Sequence, residues 1–272
     1  MMKIGNRQFD LENDCYIMGI LNVTPDSFSD GGQWNDMEKA IRHAGDMIAE
    51  GAAIIDIGGE STRPGHQQIS VQEEIERVVP IIEGVKREYD IPVSIDSYKS
   101  KVVEAALQAG ADLVNDIWGF KYDKKVAELT AQYNVPCCLM HNRNNTDYND
   151  LLAEFCDDLR ESVAIGRAAG VKEEQIILDP GIGFGKTYEQ NLIVMHHLEC
   201  MKELGYPVLL GTSRKSMIGL TLDLPADQRL EGTLVTTVMG VEKGAAFIRV
   251  HDVKENMRAI RMTQAILREG RK

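Results

Sequence analysis

Ile176-Ile177-Leu178-Asp179-Pro180-Gly181-Ile182-Gly183-Phe184-Gly185-Lys186 is the stretch on which the fold turns. Three branched apolar residues read as a buried strand, an aspartate ends it, and a glycine-rich turn leads to a helix. The same event recurs along the chain. Strands are expected at 16–21, 53–57, 92–95, 113–117, 136–140, 176–178, 208–210 and 246–250. They finish near Asn22, residues 58–63, Asp96, Asn115, Met140, Asp179, Lys215 and the pair Arg249 and His251. Polar groups gathered where parallel strands end mark the working rim of a barrel.

Between the strands the apolar spacing changes to that of helices. Met37, Ile41, Ala44 and Ile48 share one face, as do Ile75, Val78, Val79 and Ile82, and then Val102, Val103, Ala106 and Leu107. Further helices are expected at 124–133, 147–169, 189–204, 225–243 and 253–268. Gly51, Gly110, Gly170 and Gly244 each stand where a helix ends and a strand begins, the αβ connection of a βαβ unit. Eight such units predict an α/β fold, a (β/α)8 TIM barrel forming one domain over 1–272. Residues 1–14, which turn at Gly5-Asn6, read as a short N-terminal β-hairpin covering the bottom of the barrel. A doubly wound open sheet is the alternative, but it would rarely put ligand residues at every strand end.

A net charge of −12 argues against a nucleic-acid surface and against docking on an anionic membrane, though a local basic pocket could still take an anionic substrate. No window is apolar enough for a membrane span, and the first residues lack a signal-peptide core. The cysteines Cys15, Cys137, Cys138, Cys156 and Cys200 show neither disulfide nor zinc spacing. They read as small buried hydrophobes in a reducing cytoplasm. Adjacent Cys137 and Cys138 in a strand would face opposite ways.

Strand parity sorts the polar residues. Asp96 shares a face with Ser94, and Asp179 with Ile177, the face that lines a barrel. Each carboxylate could instead cap the next helix; Pro180-Gly181 makes that reading the weaker one for Asp179. Asn115 and Asp116 face opposite sides, so only one looks inward. Asparagine offers a donor and an acceptor, suited to an amide-like heterocycle edge, while Asp116 reads as a structural partner for neighbouring loops. Lys215, in the loop 211–216, supplies a movable positive charge. Arg249 and His251 share parity, roughly 6–7 Å apart along the strand, and form a plausible anion clamp. The polar loops 22–32, with Phe28, and 58–65, with Arg63, have the character of segments that close over a site. The run 181–186 lacks the full spacing of a phosphate-binding loop, and His196-His197 reads as a surface or packing pair.

Taken together and in order, 19–31, 56–65, 94–97, Asn115-Asp116, 178–186, 213–216 and 249–252 resemble the bacterial dihydropteroate synthases over roughly 4–268. That family joins 6-hydroxymethyl-7,8-dihydropterin pyrophosphate to 4-aminobenzoate. The resemblance implies a pterin site of Asp96, Asn115, Asp179 and Lys215, with Met140 as an apolar wall. It implies a diphosphate site of Asn22, Thr62, Arg249 and His251, with Mg²⁺ at Asn22. The 4-aminobenzoate site, where sulfonamides compete, would comprise Phe28, Thr62, Arg63, Pro64, Phe184, Lys215 and Ser216. Asp96, Lys215, Arg249 and His251 would serve the reaction itself. A homodimer is implied as well. His141, beside Met140, has no role in this reading.

Overall fold

Ten strands and nine α-helices alternate through the described residues of a computed structural model, which are 1–23, 32–60 and 68–270. The strands are β1 (Met2–Ile4), β2 (Arg7–Phe9), β3 (Tyr16–Asn22), β4 (Ala52–Gly58), β5 (Val93–Asp96), β6 (Leu113–Asp116), β7 (Cys137–Met140), β8 (Ile176–Asp179), β9 (Leu209–Leu210) and β10 (Phe247–Val250). The helices are α1 (Gly32–Glu50), α2 (Val71–Glu88), α3 (Ser100–Gln108), α4 (Lys125–Tyr133), α5 (Leu151–Ala169), α6 (Tyr188–His196), α7 (Ser216–Leu222), α8 (Leu230–Glu242) and α9 (Val253–Glu269).

Strands β3 to β10 form one parallel sheet in the order β8-β7-β6-β5-β4-β3-β10-β9. Its two end strands meet at a parallel bridge between Leu178 and Val208, where the Leu178 N–H donates to Pro207 O at 2.9 Å. The sheet therefore comes round on itself as a nearly closed TIM barrel, and the open-sheet alternative falls away. The remaining pair, β1 and β2, is an antiparallel hairpin.

Parity along the strands builds two separate cores. Outward residues such as Ile55, Ile57, Val93, Ile95 and Leu139 pack beneath the helices. Inward residues Met18, Ile54, Leu113, Cys138, Ile177, Leu209 and Phe247 fill the lower interior together with Met2, Ile4 and Phe9 of the hairpin. The Phe9 ring lies 4.9 Å from Tyr16 and 5.7 Å from Phe247. Burying that ring contributes about 2–3 kcal/mol, so the hairpin is bolted to the barrel floor. Cys137 joins the outer core and Cys138 the inner one, as period-2 alternation requires.

The sequence expectation fails in several local places. The helix expected from 147 begins at Leu151, because the Asp150 side chain accepts from the Ala153 N–H at 3.1 Å and caps it there. The helix expected over 189–204 breaks at His197 and continues as a 3-10 segment, Leu198–Leu204. Helix α7 is absent from the sequence reading; at 7 residues it spans barely two turns, short of the roughly 11–18 residues over which an apolar period can be read. Cys156 and Cys200 are only partly buried, so the reading of five buried cysteines holds for Cys15, Cys137 and Cys138 alone.

Candidate active site

Two residues above the apolar plug, the barrel interior turns polar. Ile54 is followed on the same face by Asp56, Leu113 by Asn115, Ile177 by Asp179, and Phe247 by Arg249. Met140 stands above Cys138, and Asp96 above Ser94. The period of the strand brings these side chains to the inner face near the strand ends, where the register pairs Asp96 with Asn115 and Met140 with Asp179. Asp56, Asn115, Asp179 and Asp96 are all buried, at 0%, 4%, 4% and 8% exposure.

Arg249 lies between two carboxylates. Its Nε donates to Asp56 Oδ2 and its Nη2 to Asp96 Oδ2, both at 2.6 Å. These partners hold the guanidinium above its ordinary range against the pull of burial. A guanidinium carries five N–H donors, so two fixed bonds orient it while leaving the Nη1 edge available to an anion. Burial pushes the Asp96 carboxyl up to about 7, with the Arg249 charge opposing and the Asp56 charge adding to the push. One oxygen of each acid, Asp56 Oδ1 and Asp96 Oδ1, is buried with no hydrogen-bond partner, as is Ser94 Oγ.

Asp56 also takes the Asn115 Nδ2 donor at 3.1 Å. That bond fixes the amide so that its oxygen is turned away from Asp56 as an acceptor. No role was assigned to Asp56 from sequence, yet it orients both neighbours. Its parity with Ile54 was the available signal.

Asp179 receives the Gly181 N–H on Oδ1 at 2.7 Å. Its burial raises the carboxyl above its usual value, while Lys215 and the Gly181 bond pull the other way. Asp179 and Arg249 flank the same point: a Cβ on Gly211 would lie 3.7 Å from Asp179 Oδ2 and 3.7 Å from Arg249 Cβ. Acid and base thus meet in one cleft, and glycine at 211 leaves the space between them open.

Lys215 Nζ donates to Ile182 O and stands 4.8 Å from the centre of the Phe184 ring. Loss of hydration pulls this ammonium down to about 8, with Asp179 supporting the charge and Arg249 opposing it. Phe184 and Trp118 pack on Met140, Tyr98 and Ile117, an apolar wall beside the acid groups. Ser216 begins α7 and is exposed at the mouth. His251 sits by Ser213, whose Oγ accepts the His251 backbone N–H at 3.2 Å and lies 2.9 Å from Nδ1. This contact holds the imidazole beside the end of β10. Asn22 ends β3 next to the same cluster: a Cβ on Gly58 would lie 3.8 Å from Asn22 Oδ1 and 3.6 Å from Asp96 Oδ2. Phe28, Thr62, Arg63 and Pro64 lie outside the described residues.

Asp116 faces away from this cluster and accepts the Trp118 and Phe120 backbone N–H groups at 2.8 and 3.0 Å. It shapes the loop after β6, the structural part expected of it. His196 is exposed and His197 half-buried.

The chain that builds this site is similar to known proteins. The model of the pterin binding enzyme family matches residues 18–251. A dihydropteroate synthase from Clostridium beijerinckii is 63% identical over 268 residues, covering 98% of this chain and all of that one. A solved dihydropteroate synthase from Clostridium difficile, determined in the presence of pteroic acid, is 52% identical with a TM-score of 0.93, over 95% of this chain and 99% of that one. The Xanthomonas albilineans dihydropteroate synthase solved with 4-aminobenzoic acid is 38% identical with a TM-score of 0.93, over 98% of this chain and 97% of that one.

Proposed function

This chain belongs to the pterin-binding enzymes and, among them, to the dihydropteroate synthases; on that premise we propose how its cleft condenses 6-hydroxymethyl-7,8-dihydropterin pyrophosphate with 4-aminobenzoate. The products are 7,8-dihydropteroate and pyrophosphate. The observation that carries the reading is the meeting of Asp179 and Arg249 around Gly211, acid for the ring and base for its tail.

Asp179 accepts the paired N–H donors of the 2-amino-4-oxo-pyrimidine edge. Gly181 occupies one lone pair of Oδ1, and a carboxylate has about four acceptor sites, so a forked pair is still accommodated. Asn115 offers its oxygen to the same edge, and Lys215 donates to the remaining ring acceptors. Met140 covers a face of the bicycle. Leaving any of these groups unpaired in the closed cleft costs about 1–3 kcal/mol, which is the source of selectivity for the pterin edge.

The bond that breaks joins the pterin methylene carbon to the diphosphate oxygen. An arylamine is a weak nucleophile, so departure before attack, an SN1-like course, is the easier one. Arg249 through its Nη1 edge and the His251 imidazole neutralise charge gathering on the leaving group, a task the family resemblance also gives to Thr62. Anionic Asp96 favours positive charge spreading over the dihydropterin. The amine then attacks the methylene and loses its proton after the new bond forms.

Mg²⁺ suits this arrangement. It takes hard oxygen donors and tolerates few protein ligands when phosphates and water complete its shell. The Asn22 amide oxygen beside Asp96 provides such a donor, and no cluster of three or more His, Cys, Asp or Glu exists among the described residues to form an all-protein cage. When bound there, Mg²⁺ supplies additional positive charge to the departing diphosphate.

The 4-aminobenzoate ring rests on Phe184 with its carboxylate toward Ser216, and the family resemblance assigns Phe28, Thr62, Arg63, Pro64 and Lys215 to the same substrate. Sulfonamides share that ring and its polar end and compete for the same place. Exposed Leu220 and Leu222 of α7, Val235 of α8, and Met262 and Ile266 of α9 favour a homodimer through the late helices. No helix among the described residues is long and apolar enough to cross a membrane, and all five cysteines are unpaired, which favours the cytoplasm. Incubating purified protein with both substrates and Mg²⁺ and assaying for dihydropteroate tests the whole reading; no product would overturn it.

A further inference from the structure

Behind the Asp179 turn lies a buried charge relay that takes no part in the scheme above. Lys186 Nζ is surrounded by three acceptors, His141 Nδ1 at 2.7 Å, Phe184 O at 3.0 Å and Gly181 O at 3.1 Å. An ammonium has three protons, so the set is complete. Because His141 Nδ1 accepts, the ring proton resides on Nε2, which lies 2.9 Å from Asp158 Oδ2. Asp158 is bound in turn by Arg143 Nε at 2.5 Å. His141 is fully buried and Lys186 nearly so. Burial drives both toward their neutral forms, His141 down to about 4 and Lys186 down to about 7.

The relay grips the turn from both sides. The His141 backbone N–H donates to Asp179 O at 2.9 Å, while its ring receives the ammonium that binds Gly181 O and Phe184 O. Tyr148 adds a bond from its hydroxyl to Gly185 O at 2.6 Å. Gly181 (φ +61°) and Gly185 (φ +54°) permit the close approach: a Cβ on Gly181 would run into His141 O, and one on Gly185 would stand 2.6 Å from Arg143 N. What the turn presents to the cleft is Ile182 O, which receives Lys215, and the Phe184 ring.

We propose that Lys186, seated on neutral His141 and anchored through Asp158, is a positioning residue that sets the Phe184 ring for the second substrate. This rests on the reading of the cleft as a dihydropteroate synthase site. Asp179 itself is held by Gly181 N–H, so pterin recognition should be largely spared.

The test compares Lys186→Met, His141→Leu and His141→Asn by steady-state kinetics, with calorimetry for the pterin pyrophosphate. An asparagine oxygen falls near the place of Nδ1 and can still accept from Lys186. Lys186→Met and His141→Leu should raise the aminobenzoate KM about tenfold or more, leave pterin affinity within about threefold, and His141→Asn should remain within about threefold of the native enzyme. A folded Lys186→Met protein with unchanged aminobenzoate KM overturns the proposal. Equal losses for both substrates overturn it too, since they would mean general damage. Imidazole ¹⁵N NMR of the unsubstituted protein decides the case even where variants fail to fold: His141 must carry its proton on Nε2 alone, and protonation of Nδ1 overturns the relay. Absence of dihydropteroate from the unsubstituted enzyme would instead sink the function, a separate outcome that leaves the NMR reading standing.

Discussion

Asp56 Oδ2 stands 2.6 Å from Arg249 Nε, and the residues are 193 positions apart in the chain. This one buried carboxylate turns the guanidinium toward Asp96 and pins the Asn115 amide as well. Asp56→Asn should therefore loosen both groups. Removing one member of a buried pair costs about 3–5 kcal/mol when its partner stays charged. The expected result is a lower midpoint in urea unfolding and a kcat/KM for pterin pyrophosphate reduced by about a hundredfold. Full activity in the variant would show that Arg249 needs no such guide.

Asp179→Asn exchanges an acceptor for a donor at the pterin edge. The loss of charge-assisted bonds predicts about 3 kcal/mol weaker binding, roughly a hundredfold in Kd. Titration calorimetry with a pterin measures this directly. Unchanged affinity would remove Asp179 from the binding edge.

The rate should depend on pH from both sides. Asp96, pushed up to about 7, must lose its proton to favour a cation, so activity rises through that pH. Lys215, pulled down to about 8, must keep its proton to donate, so activity falls beyond that value. A bell-shaped kcat/KM profile with a narrow top between them is expected. Lys215→Arg should carry the alkaline limb upward, and Asp96→Asn should abolish the acid one. A level profile from about pH 6 to 9 would contradict both assignments.

Stability has a different pH dependence. His141 is a base whose folded value, about 4, lies below its ordinary 6.5. The unfolded chain binds the proton more readily between those values, so the contribution is complete above 6.5 and fades as pH falls toward 4. The shift corresponds to about 3 kcal/mol. Urea melts at pH 6.5 and 4.5 should show a loss that His141→Asn lacks; the same loss in that variant would assign it to other groups.

Much of this architecture could be read before any coordinates. Strand ends announced themselves because an inward aspartate or arginine after an apolar run breaks a strong local pattern, as at Asp179 and Arg249. Parity then separated Asn115 from Asp116 and Cys137 from Cys138. What escaped were relations between distant residues. Asp56 is an unremarked acid within Ile54-Ile55-Asp56-Ile57 until Arg249 arrives across the interior. Lys186 and His141, 45 positions apart, meet only because β7 and β8 pair and their following turns interlock. Helix α7 was missed because its short buried edge, Met217 and Ile218, follows a loop rich in polar residues.

The hairpin that packs Met2, Ile4 and Phe9 beneath the barrel closes its lower end. Asp179 and Asn115 are buried in the cleft, and Ser216 stands exposed at its lip. Under the proposed reading, traffic through such a cul-de-sac acquires an intrinsic sequence: the bicyclic guest is expected to enter before the benzoate, and the joined product to leave by the way its parts came in. Compulsory-order kinetics follow from the proposed reading, with an inhibitor lodged at the lip expected to trap the earlier arrival inside.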